Sequence, residues 1–281
     1  MTAHWCALVT FISAIAFSES YQVLSSCSQL GRYAMPRYKE ELATQVLVNA
    51  PQKDVSVSMV YLCALEGLAG LILENPRKPP TCPTSLGMHS LIFEVDENKV
   101  VDNLSAAAVG EWKNKLQTLR SVTAFGYALS IHSVMEQCYV LAIFLSVVAL
   151  SESIQQQPDC SQLRQYAMPR NVRLDLATKV LAYENKRDAS VSAVYLCALE
   201  GLAGLILENP HKPLTCPHSL GMHSLVFEIE EEPDINVGVM SQAAINVWKD
   251  HIPHVRFGSF GCNYRKEHGK HKYLCLLKIV N

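Results

Sequence analysis

The sequence YLCALEGLAGLILENP occurs twice in the chain, unchanged, at residues 61–76 and 195–210. Its apolar side chains recur at i, i+4, i+7 and i+11 from Tyr61 onward, which is the spacing of one stripe on a helix. Proline disfavours the helical conformation of the residue before it, so the helix must end at the Asn-Pro pair. We therefore predict an apolar helix at residues 57–73 and its repeat at residues 191–207.

The repeat continues on both sides of this helix and divides the chain into two related units. Residues 26–37 (SCSQLGRYAMPR) match residues 159–170 (DCSQLRQYAMPR) almost letter for letter. Two units also agree with the length of 281 residues, since a domain takes about 100–200 residues. Residues 21–134 are named copy one below, and residues 154–281 are named copy two.

Each copy is preceded by a segment with the layout of a secretion signal. Residues 1–20 and 135–153 each begin with Met, continue with an apolar run and end in small residues, as signal peptides do. The run at residues 140–150 is shorter than the about 20 residues needed to cross a bilayer. It is a leader or, alternatively, a buried core helix. A repeat that includes its own leader indicates two neighbouring genes for secreted proteins that are read as one.

Composition and motifs exclude several classes of function. The chain has 24 Lys and Arg against 26 Asp and Glu, and this net charge of −2 provides no basic surface for nucleic acid or anionic membranes. The sequence contains no G-x-S-x-G, H-E-x-x-H, C-x-x-C or phosphate-binding loop. We therefore predict no catalytic residue, no cofactor and no enzymatic activity.

Export would place the chain in an oxidising environment, where cysteines tend to pair. Outside the leaders, copy one has three cysteines and copy two has five, so each copy leaves one thiol over or pairs it outside itself. Spacing does not determine the connectivity. In addition, Asn103-Leu-Ser105 matches the acceptor motif for N-glycosylation. The candidates for disulfide bonds are Cys63, Cys82, Cys197, Cys216, Cys262 and Cys275.

Each copy is predicted to be an α+β unit in which helices pack on a short antiparallel sheet. One helix precedes the apolar helix, a short strand follows it, and a helix with a tryptophan comes next. The tryptophans, Trp112 and Trp248, are predicted to anchor the two cores. The predicted first helices, strands and tryptophan helices lie at residues 38–48 and 171–183, 88–95 and 222–229, and 106–116 and 242–252.

Only copy two continues into a predicted terminal hairpin. Residues 256–264 and 272–280 are apolar arms that flank a charged turn. Cys262 and Cys275 stand on the two arms, and a disulfide joins them if the arms are in register. Copy one has residues 121–134 in this place, without cysteines, so we expect it to lack the hairpin.

Three motifs follow one another in a fixed order. The apolar helix carries YLCALEGLA, the next helix carries A-x-x-x-W, and the hairpin carries Gly-Cys and Leu-Cys-Leu at Cys262 and Cys275. This order resembles the CAP superfamily (SCP/TAPS), in particular the nematode activation-associated secreted proteins. The resemblance covers most of copy two and the front two-thirds of copy one. It implies a secreted protein with an α-β-α layered fold. Because lipid and sterol binding is known among CAP relatives, the resemblance also makes this activity a candidate function.

Two elements of the CAP pattern are missing. The G-H-[FYW]-T-Q signature should follow the tryptophan helix, where the chain has HIPH at residues 251–254. The G-E-N element should follow the loop cysteine, where Gly-Met-His ends at His89 and His223. The central tetrad of two histidines and two acids is not recoverable, so the resemblance implies a degenerate branch.

His251 and His254 are weak candidates for metal ligands. They lie three residues apart beside an aspartate, but Pro253 interrupts the helix between them. Structural zinc needs four ligands, and no others are placed by the sequence. We expect both histidines to be exposed and to bind no metal. By the same ligand count, His268 and His271 are expected to be solvated residues of the hairpin turn.

Glu66 and Glu200 interrupt the apolar helix of each copy. Burial would raise the pKa of such a carboxyl towards the range of a catalytic acid. Ionised groups are seldom buried without a partner, so we expect these two to face solvent or to cap the helix. His89 and His223 adjoin serines, but adjacent residues of a strand point to opposite faces, which excludes a Ser-His pair.

The sequence favours a secreted, non-enzymatic CAP-like interaction protein that is host-facing or immunomodulatory in a parasitic nematode, with an unidentified protein or receptor, such as one of a host, as its partner. The alternative is a secreted module for lipid or sterol, which requires an apolar cavity of about 300 Å³ or more. A third hypothesis, a metal-dependent or hydrolytic enzyme, requires His251 or His254 to meet two acids across the fold. No nucleic acid and no stable membrane span are expected.

Overall fold

The two predicted leaders, at residues 1–20 and 135–153, lie outside the part of the chain that the structure describes. The structure is a computed structural model, and it describes residues 26–35, 39–49, 60–74, 81–93, 103–119, 124–128, 159–184, 193–209, 211, 213–231 and 236–280.

The described part of copy one consists of helices and one small pair of strands. A short 3-10 segment at Ser28–Tyr33 precedes its first helix. The predicted first helix and tryptophan helix are both present, with shifted ends. The elements of copy one are α1 Lys39–Asn49, β1 Val60–Tyr61, α2 Cys63–Leu73, α3 Thr81–Ser85, α4 Leu104–Thr118 and β2 Ala124–Phe125.

Copy two repeats this order and adds three long strands. Its 3-10 segments lie at Ser161–Tyr166 and Ile252–His254. The elements of copy two are α5 Arg170–Ala182, β3 Val194–Tyr195, α6 Cys197–Glu208, α7 Thr215–Ser219, β4 Met222–Glu230, α8 Val237–Trp248, β5 Phe257–Glu267 and β6 Lys270–Ile279.

The apolar helix begins later than its periodicity predicts, in both copies. In copy two, residues 194–195 form β3 and the helix begins at Cys197. Leu196 at the junction is extended, and its N–H donates to the Phe260 carbonyl at 2.8 Å. The predicted helical start is wrong because Val and Tyr favour a strand where a partner strand is available. The predicted end is correct, since α6 ends at Glu208, just before the Asn-Pro pair.

The predicted hairpin of copy two belongs to a four-stranded sheet in the order β3-β5-β6-β4. β4 and β5 both pair antiparallel with β6, and β3 adds a short parallel edge. The predicted charged turn is reduced to the two residues His268 and Gly269, because β5 ends at Glu267 and β6 begins at Lys270. The φ values of His268 and Gly269 are 51° and 71°. Positive φ at both central residues suits the twist of a two-residue hairpin turn. In this register Cys262 lies opposite Cys275, and the two form a disulfide.

Residues 88–93 of copy one are not a strand, whereas the equivalent β4 of copy two is. The strand predicted at residues 88–95 is therefore wrong over its described part. β4 is held by nine residue pairs with β6, while the described residues of copy one contain only the two-residue pair β1–β2. Without a neighbouring strand, the backbone N–H and C=O groups have no ladder to join.

Copy one retains the start of the first hairpin arm. β2 pairs in parallel with β1 as β5 pairs with β3. Gly126, just after β2, packs on the backbone of Glu66 as Gly261 packs on the backbone of Glu200. The expected absence of the hairpin concerns residues 121–134, of which the structure describes only residues 124–128.

The sheet of copy two lies between two helical layers. α6 packs on one face, and α5 and α8 cover the other. The buried side chains of β6 alternate accordingly, because successive residues of a strand point to opposite faces. Leu274 and Leu276 join the core around α6, while Tyr273, Cys275 and Leu277 join the core under α5 and α8. This is an α-β-α arrangement, and the predicted α+β class is confirmed.

The two copies face each other across an approximate two-fold axis between α2 and α6. Gly67 of α2 lies against Ala198 of α6, where a Cβ on the glycine would be 3.2 Å from the alanine Cα. The equivalent contact places Gly201 against Ala64, at 3.3 Å by the same measure. Each copy thus presents the same glycine to the same alanine of the other copy. The interface is therefore self-complementary, as in a symmetric dimer.

Four disulfides are present among the described residues. Cys27–Cys63 and Cys160–Cys197 are equivalent bridges, one in each copy, and Cys262–Cys275 joins the hairpin arms. The fourth, Cys82–Cys216, joins equivalent positions of the two copies. The cysteine that is left over within each copy therefore pairs with its equivalent in the other copy.

The larger core belongs to both copies, and the smaller one to copy two alone. The larger cluster contains α2, α6 and the β6 residues Leu274 and Leu276, so copy two covers part of the core of copy one. The smaller cluster, around Trp248 and Tyr273, contains residues of copy two alone within the described ranges. Among the residues described, no helix combines the length and the apolar character needed to cross a bilayer.

Candidate functional site

A buried carboxylate lies at the centre of copy two. Glu200 of α6 accepts hydrogen bonds from Arg173 Nε at 2.6 Å and Nη2 at 2.7 Å, from Tyr195 Oη at 2.6 Å, and from the Met168 N–H at 2.7 Å. Glu200 is fully buried, and the Arg173 side chain is 3% exposed. Four donors occupy the lone-pair sites of this carboxylate, so its charge is compensated where it lies.

Copy one has the same arrangement with a different cation. Glu66 accepts hydrogen bonds from Lys39 Nζ at 2.5 Å, from Tyr61 Oη at 2.6 Å and from the Met35 N–H at 2.6 Å. The Lys39 ammonium also lies 4.3 Å from the centre of the Tyr61 ring, in the geometry of a cation–π contact. Lysine in copy one thus occupies the place that arginine occupies in copy two.

The two ion pairs differ in their electrostatics. Burial raises the pKa of the Glu200 carboxyl, and the hydrogen bonds and charge of Arg173 offset only part of this effect. Burial lowers the pKa of the Arg173 guanidinium, but its contacts with Glu200 outweigh burial and leave that pKa above its ordinary value. In copy one, burial lowers the pKa of the Lys39 ammonium by more than Glu66 raises it. The Arg173 guanidinium therefore keeps its proton and its charge in the interior more readily than the Lys39 ammonium does.

The expectation that Glu66 and Glu200 face solvent or cap the helix is wrong. Each is buried because a cation, a tyrosine hydroxyl and a backbone amide together replace the water that the carboxylate loses. These contacts tie the apolar helix to the first helix and to the strand before it. The two carboxylates therefore hold the elements of each copy together.

A tyrosine–glutamate pair stands at the C-terminal end of each apolar helix. Tyr33 Oη donates to Glu74 Oε2 at 2.9 Å in copy one, and Tyr166 Oη donates to Glu208 Oε2 at 2.6 Å in copy two. In copy two this pair lines a cavity of about 370 Å³, named the groove below. The residues that line the groove are Gln165, Tyr166, Gly204, Leu207, Glu208, Asn263, Tyr264 and Arg265.

The groove is polar, with one cation beside its carboxylate. Arg265 Nη1 lies 3.6 Å from Glu208 Oε1, and both side chains are about 40% exposed (39% and 42%). The floor is rigid, because the buried Asn263 donates to the carbonyls of Tyr166 at 2.7 Å and Glu200 at 3.0 Å. Burial raises the pKa of Tyr166 to about 12, and the hydrogen bond to Glu208 acts in the same direction. The Tyr166 hydroxyl therefore remains a donor at neutral pH.

His251 and His254, the candidate metal ligands, are both exposed and flank the last 3-10 segment of copy two. Within the described ranges, no three side chains of His, Cys, Asp or Glu come together as a metal site. The arrangement that the enzyme hypothesis requires, a histidine meeting two acids, is not found among these residues.

The histidines of the hairpin differ from each other. His268 forms the turn and its side chain is 86% exposed. The expectation that His271 is a solvated turn residue is wrong, because β6 already begins at Lys270. His271 is 5% exposed, its Nδ1 lies 2.6 Å from Tyr264 Oη, and the two rings are stacked.

The two tryptophans occupy equivalent positions but are buried to different extents. Trp248 is 2% exposed and its Nε1 donates to the Val226 carbonyl of β4 at 3.1 Å. Trp112 is half-buried and its Nε1 donates to the Ile92 carbonyl at 3.2 Å. Trp248 thus anchors the core of copy two and covers a carbonyl at the sheet edge, whereas Trp112 packs against the margin of the shared core.

Three further candidates lie at the surface. His89 and His223 are exposed, and neither contributes to the groove. Asn103 caps α4, where its side chain accepts a hydrogen bond from the Ala106 N–H at 2.7 Å. Glycosylation of Asn103 stays a prediction.

The groove residues were not predicted from the sequence. Tyr166, Glu208, Asn263 and Arg265 stand in three separate segments, and no motif connects them. The available signal was the repeat itself, which preserves the tyrosine in YAMPR and the glutamate in LENP in both copies.

The fold and the site together define the class: a tandem, disulfide-bonded α+β protein with a partnered glutamate inside the apolar helix of each unit. The profile of the family described as Ancylostoma-associated secreted protein related matches residues 27–137 and 160–277. The chain belongs to this family, in two tandem copies, and the resemblance to CAP-related proteins is confirmed. No curated protein and no solved structure gives a significant match to the chain.

Proposed function

We propose that the chain is a secreted, non-enzymatic interaction protein, host-facing or immunomodulatory in a parasitic nematode. The observation that carries this proposal is the state of the two interior carboxylates. Glu66 and Glu200 are each engaged by a cation, a tyrosine and an amide, so the acids best placed for chemistry act as structural anchors instead. The outer surface of the two disulfide-linked copies is then the part of the molecule that is available to bind a partner.

Export is supported by the cysteines and by the family. The described residues contain four disulfides, which persist in oxidising compartments. The family is described as secreted protein related, and we extend that description to this chain as part of the proposal. Linked units offer a partner a larger surface of fixed geometry than either copy alone, which lowers the entropic cost of binding.

The alternative, a carrier of lipid or sterol, receives less support. The groove has the required volume of about 370 Å³, but charged, amide and phenol groups line most of it. A sterol in the groove would displace water from the partly exposed Glu208 and Arg265 side chains, which costs free energy. The groove therefore favours a polar ligand.

The test is a binding screen with the full chain, folded and with its disulfides intact, against a panel of host cell-surface proteins. Saturable binding to a member of the panel, lost when the chain is reduced and unfolded, is the expected result. In parallel, a radiolabelled sterol and a panel of ester and peptide substrates are offered to the same preparation. Sterol binding without protein binding would favour the carrier, and hydrolysis by the pure chain would refute the non-enzymatic role.

A further inference from the structure

The two tyrosine–glutamate pairs are equivalent in sequence and in geometry, but their surroundings differ. In copy one the pair is covered by Lys278, which comes from β6 of copy two. The Lys278 ammonium makes an ion pair with Glu74 Oε2, lies 3.1 Å from Tyr33 Oη and stands 5.7 Å from the centre of the Tyr33 ring. The Lys278 side chain is only 16% exposed. Copy one thus shows how this pair holds an alkyl ammonium.

The contact is strong enough to change the titration of the carboxyl. Burial by itself would raise the pKa of Glu74, but hydrogen bonds from Lys278 and Tyr33, with the charges of Lys278 and Arg32, leave that pKa below its ordinary value. Arg32 Nη2 occupies the other oxygen, Oε1, at 2.8 Å. A glutamate in this setting accepts a tyrosine, a guanidinium and an ammonium at once.

In copy two the equivalent pair borders the groove. Glu208 already accepts the Tyr166 hydroxyl, and Arg265 stands beside its other oxygen at 3.6 Å, beyond hydrogen-bond distance. The Tyr166 contact is equivalent to that of Tyr33, whereas Arg265 comes from β5 and Gln165 stands at the sequence position of Arg32. Among the described residues, no lysine contacts Tyr166 or Glu208, and the groove opens beside them.

We propose that the groove of copy two binds the alkyl ammonium of a lysine side chain on a partner protein. The lysine takes the position at Tyr166 and Glu208 that Lys278 takes at Tyr33 and Glu74. Its three N–H donors match a carboxylate oxygen and a phenol oxygen at one point, and its alkyl stem lies along Leu207. This proposal rests on the interaction role proposed above and names the chemistry of the partner.

The volume and the charges of the groove agree with this occupant. A cavity of about 370 Å³ lies at the small end of the range for ligand sites and suits a single side chain with part of its backbone. An arginine side chain of the partner would bring a broad, planar cation close to Arg265 and be repelled by it. A lysine ammonium concentrates its charge at one point next to Glu208. The observed cation at the equivalent pair of copy one is also a lysine.

The experiment titrates the full chain, with its tyrosine rings labelled with carbon-13, with Nα-acetyl-lysine methylamide while the ring signals are recorded by NMR. Saturable shifts are expected at Tyr166 and Tyr264, with none at Tyr183, which does not line the groove. The Nε-acetylated probe, which has the same shape without the charge, is expected to bind at least tenfold more weakly. Equal shifts with both probes would overturn the proposal.

Two matched variants locate the site. Glu208→Gln keeps the shape and a hydrogen-bond acceptor for Tyr166, and it is expected to weaken the lysine probe at least tenfold. Glu74→Gln makes the same change in copy one, and it is expected to leave the dissociation constant for the Tyr166 signal within about twofold. Binding that survives Glu208→Gln, or falls equally in both variants, contradicts the assignment. Melting temperatures confirm that each variant is folded.

Substitution of Arg265, whose guanidinium lies beside Glu208, provides an independent test. Arg265→Gln removes a cation that competes for Glu208, so binding of the lysine probe is expected to tighten by threefold or more. Weaker binding of the lysine probe in this variant would mean that Arg265 supports binding and does not compete with the ammonium, and the proposal would fall. If the host-protein screen finds a partner whose binding is unchanged by Glu208→Gln, the interaction role stands and the lysine groove does not.

Discussion

Arg173 and Glu200 form a two-pronged ion pair in the interior of copy two, with contacts of 2.6 and 2.7 Å between the guanidinium and the two carboxylate oxygens. The guanidinium also donates from Nη2 to the Met168 carbonyl at 2.8 Å. A planar fork is what makes three such bonds from one side chain possible. Copy one makes the pair with Lys39 and Glu66, through a single contact between ammonium and carboxylate. Copy two is therefore the more tightly held of the two.

Removing the acid of the Arg173–Glu200 pair is expected to be strongly destabilising. Glu200→Gln leaves the guanidinium buried without its counter-charge, and breaking a buried pair in this way costs about 3–5 kcal/mol of the free energy of unfolding. Urea unfolding followed by circular dichroism measures the loss. The control, Glu231→Gln, breaks the exposed pair with Lys266 and should leave the urea midpoint unchanged. A loss of less than about 1 kcal/mol for Glu200→Gln would show that the interior ion pair is not an anchor.

The Cys82–Cys216 bridge is expected to hold the two copies in one molecule even when the chain is cut between them. A protease site placed between the copies and then cleaved should yield one band on a denaturing gel without reductant and two bands with it. The double variant Cys82→Ser/Cys216→Ser should yield two bands under both conditions.

The hairpin bridge provides the matched control for this prediction. The double variant Cys262→Ser/Cys275→Ser removes a disulfide within copy two and should still give one band after cleavage without reductant. Two bands from the cleaved wild-type chain without reductant would contradict the bridge between the copies. The same gel applied to native material tests whether the two copies circulate as one molecule or as separate products.

The contact between Glu74 and Lys278 is expected to make stability depend on acidic pH. The pKa of Glu74 in the folded chain lies below its ordinary value of 4.5. The contact therefore contributes fully above about pH 5 and is lost as the pH falls through the lowered folded-state pKa. The difference in free energy of unfolding between the wild-type chain and Glu74→Gln should shrink towards zero between pH 5 and about pH 2. A difference that is constant or grows on acidification would show that Glu74 does not bind as a carboxylate.

The two tryptophans are expected to differ in their contribution to stability. Trp248→Ala removes a side chain that is 2% exposed and should lower the free energy of unfolding by about 3–5 kcal/mol. Trp112→Ala removes the half-buried equivalent and should cost less than half as much. Chemical unfolding of the two variants under one condition checks the ratio. Equal losses would mean that copy one contributes as complete a core as copy two.

The order of elements was predictable because each depends on local patterns. The repeat, the apolar helix up to its Asn-Pro end and the hairpin with its cysteine on each arm all follow from periodicity, proline sterics and turn composition. The start of the apolar helix was not, since residues 194–195 pair with β5 from far along the chain. Glu66 and Glu200 were misjudged for the same reason, because their cations lie 27 residues away on another helix.

The sequence alone indicated two related units of α+β class, a disulfide-bearing chain and a resemblance to CAP proteins, because repeats, periodicity and cysteines are properties of the chain itself. The pairing of Cys82 with Cys216, the core shared by α2 and α6, and the meeting of Lys278 with Tyr33 and Glu74 depend on the two-fold packing of one copy on the other. Such contacts join residues more than 100 positions apart, so no local pattern records them. The groove also depends on tertiary structure, since its residues come from three separate segments of copy two that no motif connects.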